Sequence, residues 1–312
     1  TAVMQLVEQK KIGLEDELSK YLPEFTDMKI VDNFDLTDFV ENAKFNFGWP
    51  DGKDGLIPAK NKIRIRDMMS MTAGFSYHLG SESMCRVLQA NPHAKTRELI
   101  ASMAENPLLY EPGTRYAYSY AHDILAAVVE VVSGTKFSDY MKNNIFGPLD
   151  ARDLYYQVPE SEKKRLTQLY DYDMASQKYV LQKVNVARIN DQYESGGGGI
   201  ACTVEGYSKV LDALANNGVG ITGAQILRPE SIAQMSENRL DAQQLKDFHI
   251  GGKLEYGYGL GVRTLIDPSM SKSPVGEFGW DGAAGAYALA DPINHVAVFY
   301  VQAAPESGTA FS

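Results

Sequence analysis

EPGTRYAYSYAHDILAAVVEVVSG, residues 111–134, is the stretch on which the reading of this chain turns. From His122 onward, Ile124, Leu125, Val128, Val129 and Val132 form one broad apolar stripe, which predicts an amphipathic helix packed on a core. Gly134 supplies its C-terminal stop. Ahead of it, the Pro112–Gly113 turn leads through Tyr116, Tyr118 and Tyr120 into the helix start. Tyr118 therefore falls in the loop at a helix N-terminus, where positive potential favours a phenolate and lowers a phenol pKa from about 10. Read alone, the three tyrosines are also compatible with ordinary packing aromatics.

Outward from this helix the texture is helical on both sides. TAVMQLVEQKK (1–11) reads as a helix with Val3, Leu6 and Val7 on one face. IRIRDMMSMTAGF (63–75) predicts a helix from Ile65 to Met71 that stops by Gly74. KFSDYMKNNIFGPL (136–149) predicts another, ended by Gly147 and Pro148. FGWPDGKDGLIPAKNK (47–62), rich in Gly, Pro and Lys, reads as an exposed excursion. After the glycine run at Gly196 to Gly199, TVEGYSKVLDALANNG (203–218) predicts a helix capped by Thr203. The run lets backbone approach another element closely; it lacks the GxxxxGK[ST] of a phosphate loop.

Beyond Tyr256 the pattern changes to short β-branched and aromatic runs: YGYGLGVRTL, GEFGWD, GAYALAD and HVAVFYVQ. The connections are too short for crossover helices, so the strands must be antiparallel neighbours. In GEFGWDGAAGAYALAD, the small residues Gly282, Ala283 and Ala284 leave backbone N–H groups accessible at a turn, as an oxyanion hole requires.

Composition narrows the function classes. The formal net charge of −10 in 312 residues argues against binding to nucleic-acid phosphates. No run of 18 apolar residues provides a membrane span. Cys85 and Cys202 have no metal-ligand or disulfide-scaffold spacing. His78, His93, His249 and His295 share no spacing, His122 reads as a polar residue at a helix start, and neither GxSxG nor HExxH occurs. No cofactor is implied.

Six segments in order, namely 4–25, 63–75, 111–134, 145–156, 196–211 and 279–292, resemble the serine β-lactamase and penicillin-binding-protein-like superfamily, in particular its class C-like and esterase branch. The resemblance implies an α/β fold of the α+β multi-domain type: a mainly antiparallel sheet flanked by helices, with a helical subdomain spanning approximately residues 30–195. Residues 1–29 and 196–312 would form the sheet part of one catalytic unit. By the same resemblance, a Ser-x-x-Lys motif with the nucleophile would lie one to two helical turns before Thr1. The first sheet strands and a closing C-terminal helix would lie outside this chain, leaving a sheet edge and an apolar face uncovered. Within it, Ser161 to Lys164 and Ser269 to Lys272 have the spacing, but neither leads into an apolar helix that would bury the lysine.

The family's Tyr-x-Asn falls on Tyr118, Ser119 and Tyr120. Tyr118 would be the general base or proton relay, and the substrate-contacting asparagine is replaced by a phenol. Its Lys-Thr-Gly falls on Trp280, Asp281 and Gly282, and Ala283 would give the second oxyanion N–H. Since Trp280 brings no charge and Asp281 a negative one, a substrate carboxylate is disfavoured by at least ~1 kcal/mol. The expected activity is a serine hydrolase or acyl transferase acting on small uncharged esters or amides. A β-lactamase, D-aminopeptidase or D-Ala-D-Ala carboxypeptidase is the alternative; a non-catalytic binding protein with a degenerate site is the second. Compartment and oligomeric state are not legible.

Overall fold

The computed structural model describes residues 1–32, 34–36, 55–77, 81–173, 175–181, 189–283 and 285–302. The chain opens on α1 (Ala2–Glu8), whose Met4 and Leu6 are fully buried. Strand β1 (Lys29–Val31) pairs with β2 (Leu56–Pro58), so the exposed excursion read at 47–62 ends in a short exposed strand; residues 47–54 lie outside the described residues. Helices α2 (Ile65–Met69), α3 (Glu82–Ala90), α4 (Thr96–Met103), α5 (Ala121–Ser133) and α6 (Phe137–Met141) follow. After them come β3 (Leu154–Tyr155), the antiparallel hairpin β4 (Tyr170–Asp173) and β5 (Lys178–Leu181), and β6 (Ala201–Cys202), which pairs with β3. Helices α7 (Val204–Ala215), α8 (Pro229–Ser236) and α9 (Ala242–His249) lead to β7 (Tyr256–Tyr258), β8 (Arg263–Leu265), β9 (Phe278–Gly282), β10 (Ala286–Asp291) and β11 (Val296–Val301).

The last five strands form one antiparallel sheet in the order β11-β10-β9-β8-β7, as their short connections require. Period-two alternation sorts its faces. Phe299, Ala297, Ala288 and Ala290 pack toward the core, where Phe299 meets Tyr207 of α7 at 4.5 Å between ring centroids. Val296, Val298 and Tyr300, in register with Asp291, Leu289 and Tyr287, point the other way and are 46%, 40% and 42% exposed. Among the described residues, no helix is long and apolar enough to cross a membrane.

Helix α5 is the spine of the molecule. Ile124, Val128 and Ala127 are fully buried, and α1, α2, α4 and α6 all pack on it. Ile124 and Val128 each contribute about 1.5–3 kcal/mol by leaving water. Gly134, at φ 70, ends the helix in the left-handed conformation. The helix read from Ile65 to Met71 is shorter than its sequence suggests. The Ser70 hydroxyl turns back to the Arg66 carbonyl at 2.9 Å, and Met71 adopts φ 59, which no helix continues through.

The glycine run does what its composition implies. A Cβ on Gly196 would lie 2.1 Å from the His122 carbonyl oxygen, and one on Gly197 2.9 Å from the Asp123 carboxylate. The loop therefore lies directly on the first turn of α5. Gly196→Ala is expected to destabilise by about 1–3 kcal/mol, because a helix carbonyl has no room to retreat. Gly198→Ala, whose Cβ would meet nothing within 4 Å, should stay within about 0.5 kcal/mol of the parent. Urea unfolding of the two variants checks the pair; equal losses would remove the steric explanation.

Candidate active site

The tyrosine loop ahead of α5 is clamped before it reaches the helix. Arg115 donates to both carboxylate oxygens of the buried Asp247 on α9, each at 2.7 Å, and the Tyr116 N–H donates to the same group at 3.1 Å. From the other side, the Ala117 and Tyr120 N–H groups donate to the Met71 and Ser76 carbonyls at 3.1 and 3.2 Å. A bidentate arginine–carboxylate pair fixes both distance and plane. The loop's side chains are thus held on a rigid backbone.

Those side chains build a continuous array of rings. Phe248 of α9 meets Tyr116 edge-on at 5.1 Å, Tyr116 meets Tyr258 of β7 at 5.5 Å, and Tyr258 meets Trp280 of β9 edge-on at 5.3 Å. Trp280 lies face to face with Tyr118 at 5.2 Å and 13° between planes. Tyr118 in turn contacts Tyr77, which stacks on Tyr120 at 4.7 Å. Two sequence elements some 160 residues apart, the tyrosine loop and the β9 strand, therefore meet at one wall. Tyr77 belongs to this wall and escaped the sequence reading; its one signal was an aromatic residue three positions past the Gly74 stop.

Tyr118 is partly buried, and its phenol is pushed up to about 12, first by burial and then by the nearby Asp123 carboxylate. The indole N–H of Trp280 pulls it down and Asp281 pushes it up again. This reverses the expected lowering: loss of hydration outweighs the helix-terminus potential. The resting group is a neutral phenol.

Ser119 and Tyr120 turn inward, against the expectation of substrate contact. Ser119 is 2% exposed, its hydroxyl directed at the Met71 sulfur and accepting from the Ala121 N–H at 3.3 Å. Tyr120 is 1% exposed beneath Tyr77. Tyr120 occupies the N-cap position of α5, and its ring is held inward by stacking on Tyr77.

Asp281 also departs from expectation. It does not present an uncompensated negative charge, because Lys253, from the loop between α9 and β7, forms an ion pair with its Oδ2. The same ammonium stands 5.9 Å from the Trp280 ring centroid. A positive charge thus does reach the place where the Lys-Thr-Gly lysine was missed. Gly282 ends β9 and Ala283 opens the β9–β10 turn, both exposed; Ala284 lies outside the described residues. Gly285 closes that turn at φ 94, donating to the Gly282 carbonyl at 2.9 Å.

Behind the wall, His122 stands against Gly261 and Met69, and its Nε2 is buried without a partner. Burial lowers its pKa to about 4, against the upward pull of a hydrogen bond with the Met69 backbone. His78 lies outside the described residues; His93 pairs with Asp191 on the surface, His249 with the Tyr256 carbonyl and His295 with the Ala215 carbonyl, so these three converge on nothing. Because the folded protein resists protonating His122 while the unfolded chain accepts a proton near pH 6.5, stability should fall as pH drops from about 6.5 to 4 and level off below. His122→Gln should flatten that window in urea titrations at successive pH values; an unchanged slope would contradict the burial.

The Ser-x-x-Lys segments of the chain are unsuited as nucleophiles. Ser161 and Lys164 lie exposed on a 3-10 turn, and Ser269 and Lys272 are exposed around another. A third, Ser133 to Lys136, was passed over in the sequence reading. It sits at the C-terminal end of α5, where Ser133 pairs with Thr135 and Lys136 with the buried Glu194. A helix C-terminus carries the wrong potential for an oxyanion. Two surface hollows, of about 330 Å³ beside Gln5 and Asn144 and about 300 Å³ beside Asp153 and Lys209, are lined by neither Tyr118 nor Trp280. Among the described residues, no group of three His, Cys, Asp or Glu side chains could hold a metal ion.

The family described as Beta-lactamase matches residues 1–310. Protein Rv1367c of Mycobacterium tuberculosis is 25% identical over 311 residues, covering 96% of this chain and 73% of that protein. Lovastatin esterase of Penicillium rubens is 27% identical over 287 residues, covering 85% of this chain and 67% of that protein. Among solved structures, EstCE1, a hydrolase with promiscuous acyltransferase activity, superposes with a TM-score of 0.75 at 22% identity, over 99% of this chain and 78% of that one. The last likeness shows the fold, a β-lactamase/transpeptidase-like arrangement of helices and antiparallel sheet.

Proposed function

Because this chain belongs to the beta-lactamase family, we propose that it carries the proton-relay and binding walls of a serine acyl-enzyme site that hydrolyses or transfers small uncharged esters or amides. The observation that supports this best is the face-to-face packing of Tyr118 on Trp280, next to the exposed turn that begins at Ala283. In this reading the attacking serine stands one to two helical turns ahead of α1, with a lysine one turn after it on the same face. Tyr118 passes a proton between serine and leaving group. A phenol near 12 serves that role once a lysine cation stands beside it, since an opposite charge within about 4–6 Å favours the phenolate. The Ala283 N–H joins that of the serine in holding the oxyanion.

The aromatic wall favours flat or apolar acyl groups over charged ones. The similarity to an esterase and to a hydrolase with acyltransferase activity agrees with that preference. The test uses the intact protein with p-nitrophenyl acetate and with nitrocefin. Faster ester turnover, together with fluorophosphonate labelling of a serine ahead of α1, is the expected result. Faster nitrocefin turnover points to the β-lactamase alternative, and no labelling and no turnover to the binding-protein alternative.

A further inference from the structure

The Lys253–Asp281 pair has a role that follows from its place. Lys253 follows Gly251 and Gly252, the latter at φ 85, so a glycine hinge delivers the lysine to the end of β9. Its ammonium engages Asp281 Oδ2 and stands over Trp280, while Asp281 Oδ1 is buried without a partner. An ammonium has three donors, and the half-exposed pair leaves donors of Lys253 facing solvent beside the aromatic wall. We propose that Asp281 acts as a built-in counter-ion, occupying Lys253 in place of a ligand carboxylate, so that this ion pair makes the Trp280 wall select uncharged ligands over carboxylates. The proposal rests on the reading of that wall as the binding surface.

The electrostatics give the selection its size. A carboxylate that reaches Lys253 must stand beside Asp281, and a like charge at about 4 Å weakens binding about five-fold even with water-like screening, more where water is excluded. Lys253 alone would attract the same carboxylate. Removing the Asp281 charge therefore turns a neutralised cation into a carboxylate-binding one, and removing Lys253 deepens the discrimination.

The experiment titrates phenylacetate and phenylacetamide, an anion and its uncharged isostere, against the intact protein. Trp280 fluorescence in a Trp49→Phe background is the readout, and the quantity read is the ratio of the two dissociation constants. Asp281→Asn should shift the ratio toward phenylacetate by about five-fold or more, and Lys253→Met should shift it away by about the same factor. The double variant Lys253→Met/Asp281→Asn should show no gain for phenylacetate. The shifts should fade in about 1 M salt, where the screening length is about 3 Å. A ratio unchanged in both single variants, an equal gain in the double variant, or no binding of either compound overturns the proposal. No ester turnover by the unsubstituted intact protein, with the ratios still shifting in the variants, would count against the acyl-enzyme reading alone.

Discussion

Tyr118→Phe should lower kcat on an activated ester by a factor on the order of 10²–10⁴ while changing KM little. The reason lies in what the substitution keeps. The phenyl ring retains its face-to-face packing on Trp280 at 5.2 Å and its contact with Tyr77, so the wall that binds substrate survives. Only the hydroxyl goes, and with it the group that moves a proton between nucleophile and leaving group. Thermal unfolding should therefore be nearly unchanged, which separates a chemical loss from a structural one. The pH profile carries independent information. With a phenol at about 12 when no cation is near, any catalytic limb assigned to Tyr118 at lower pH measures how far the neighbouring lysine pulls it down. Full turnover in the phenylalanine variant would remove Tyr118 from the mechanism.

How much of this was legible beforehand depends on the range of the interaction concerned. Helix α5 was legible because thirteen residues repeat one apolar stripe and end on a glycine, signals contained in the segment itself. The sheet was legible because its strands follow one another through turns that allow only antiparallel pairing. The Tyr118–Trp280 contact was not legible, since no local pattern links two loops so distant in sequence; the resemblance only set both residues in one site. The errors share one cause. The phenol's shift was assigned from the helix terminus, a local effect, whereas burial by Tyr77 and Trp280 outweighs it. Asp281 was read as unpaired because its partner stands 28 residues away on a glycine-rich loop with no periodicity. Ser119 and Tyr120 were read as facing substrate because a motif fixes positions in a line, while direction depends on the core they border. The β4–β5 hairpin, whose residues are mostly exposed, left no apolar alternation to read.

The position of Trp280 itself depends on a buried charge, and Arg263→Ala should expose that dependence with a loss of about 3–5 kcal/mol. Arg263 on β8 is 1% exposed and Glu277, just ahead of β9, is fully buried, their charged groups 3.6 Å apart. The guanidinium lies between the rings of Tyr256 and Tyr287, 4.8 Å from each centroid, and donates to the Tyr287 hydroxyl at 2.6 Å. It thereby straps β8 to β10 across β9 at Gly279, where a Cβ would come within 2.8 Å of Nη1. Trp280 is the next residue. Truncating the arginine removes the strap and leaves Glu277 buried beside no cation. Burial already raises the Glu277 carboxyl, so in the variant its pKa rises further and the folded state holds a proton that the unfolded chain releases above about pH 4.3. The loss should accordingly grow from acid toward neutral pH, and Glu277→Gln in the Arg263→Ala background should recover part of it. Urea unfolding at pH 5 and pH 8 reads both effects. A pH-independent loss would mean that the strap acts through packing alone, and no loss that β9, and the Trp280 wall with it, is held by the remaining sheet without the arginine.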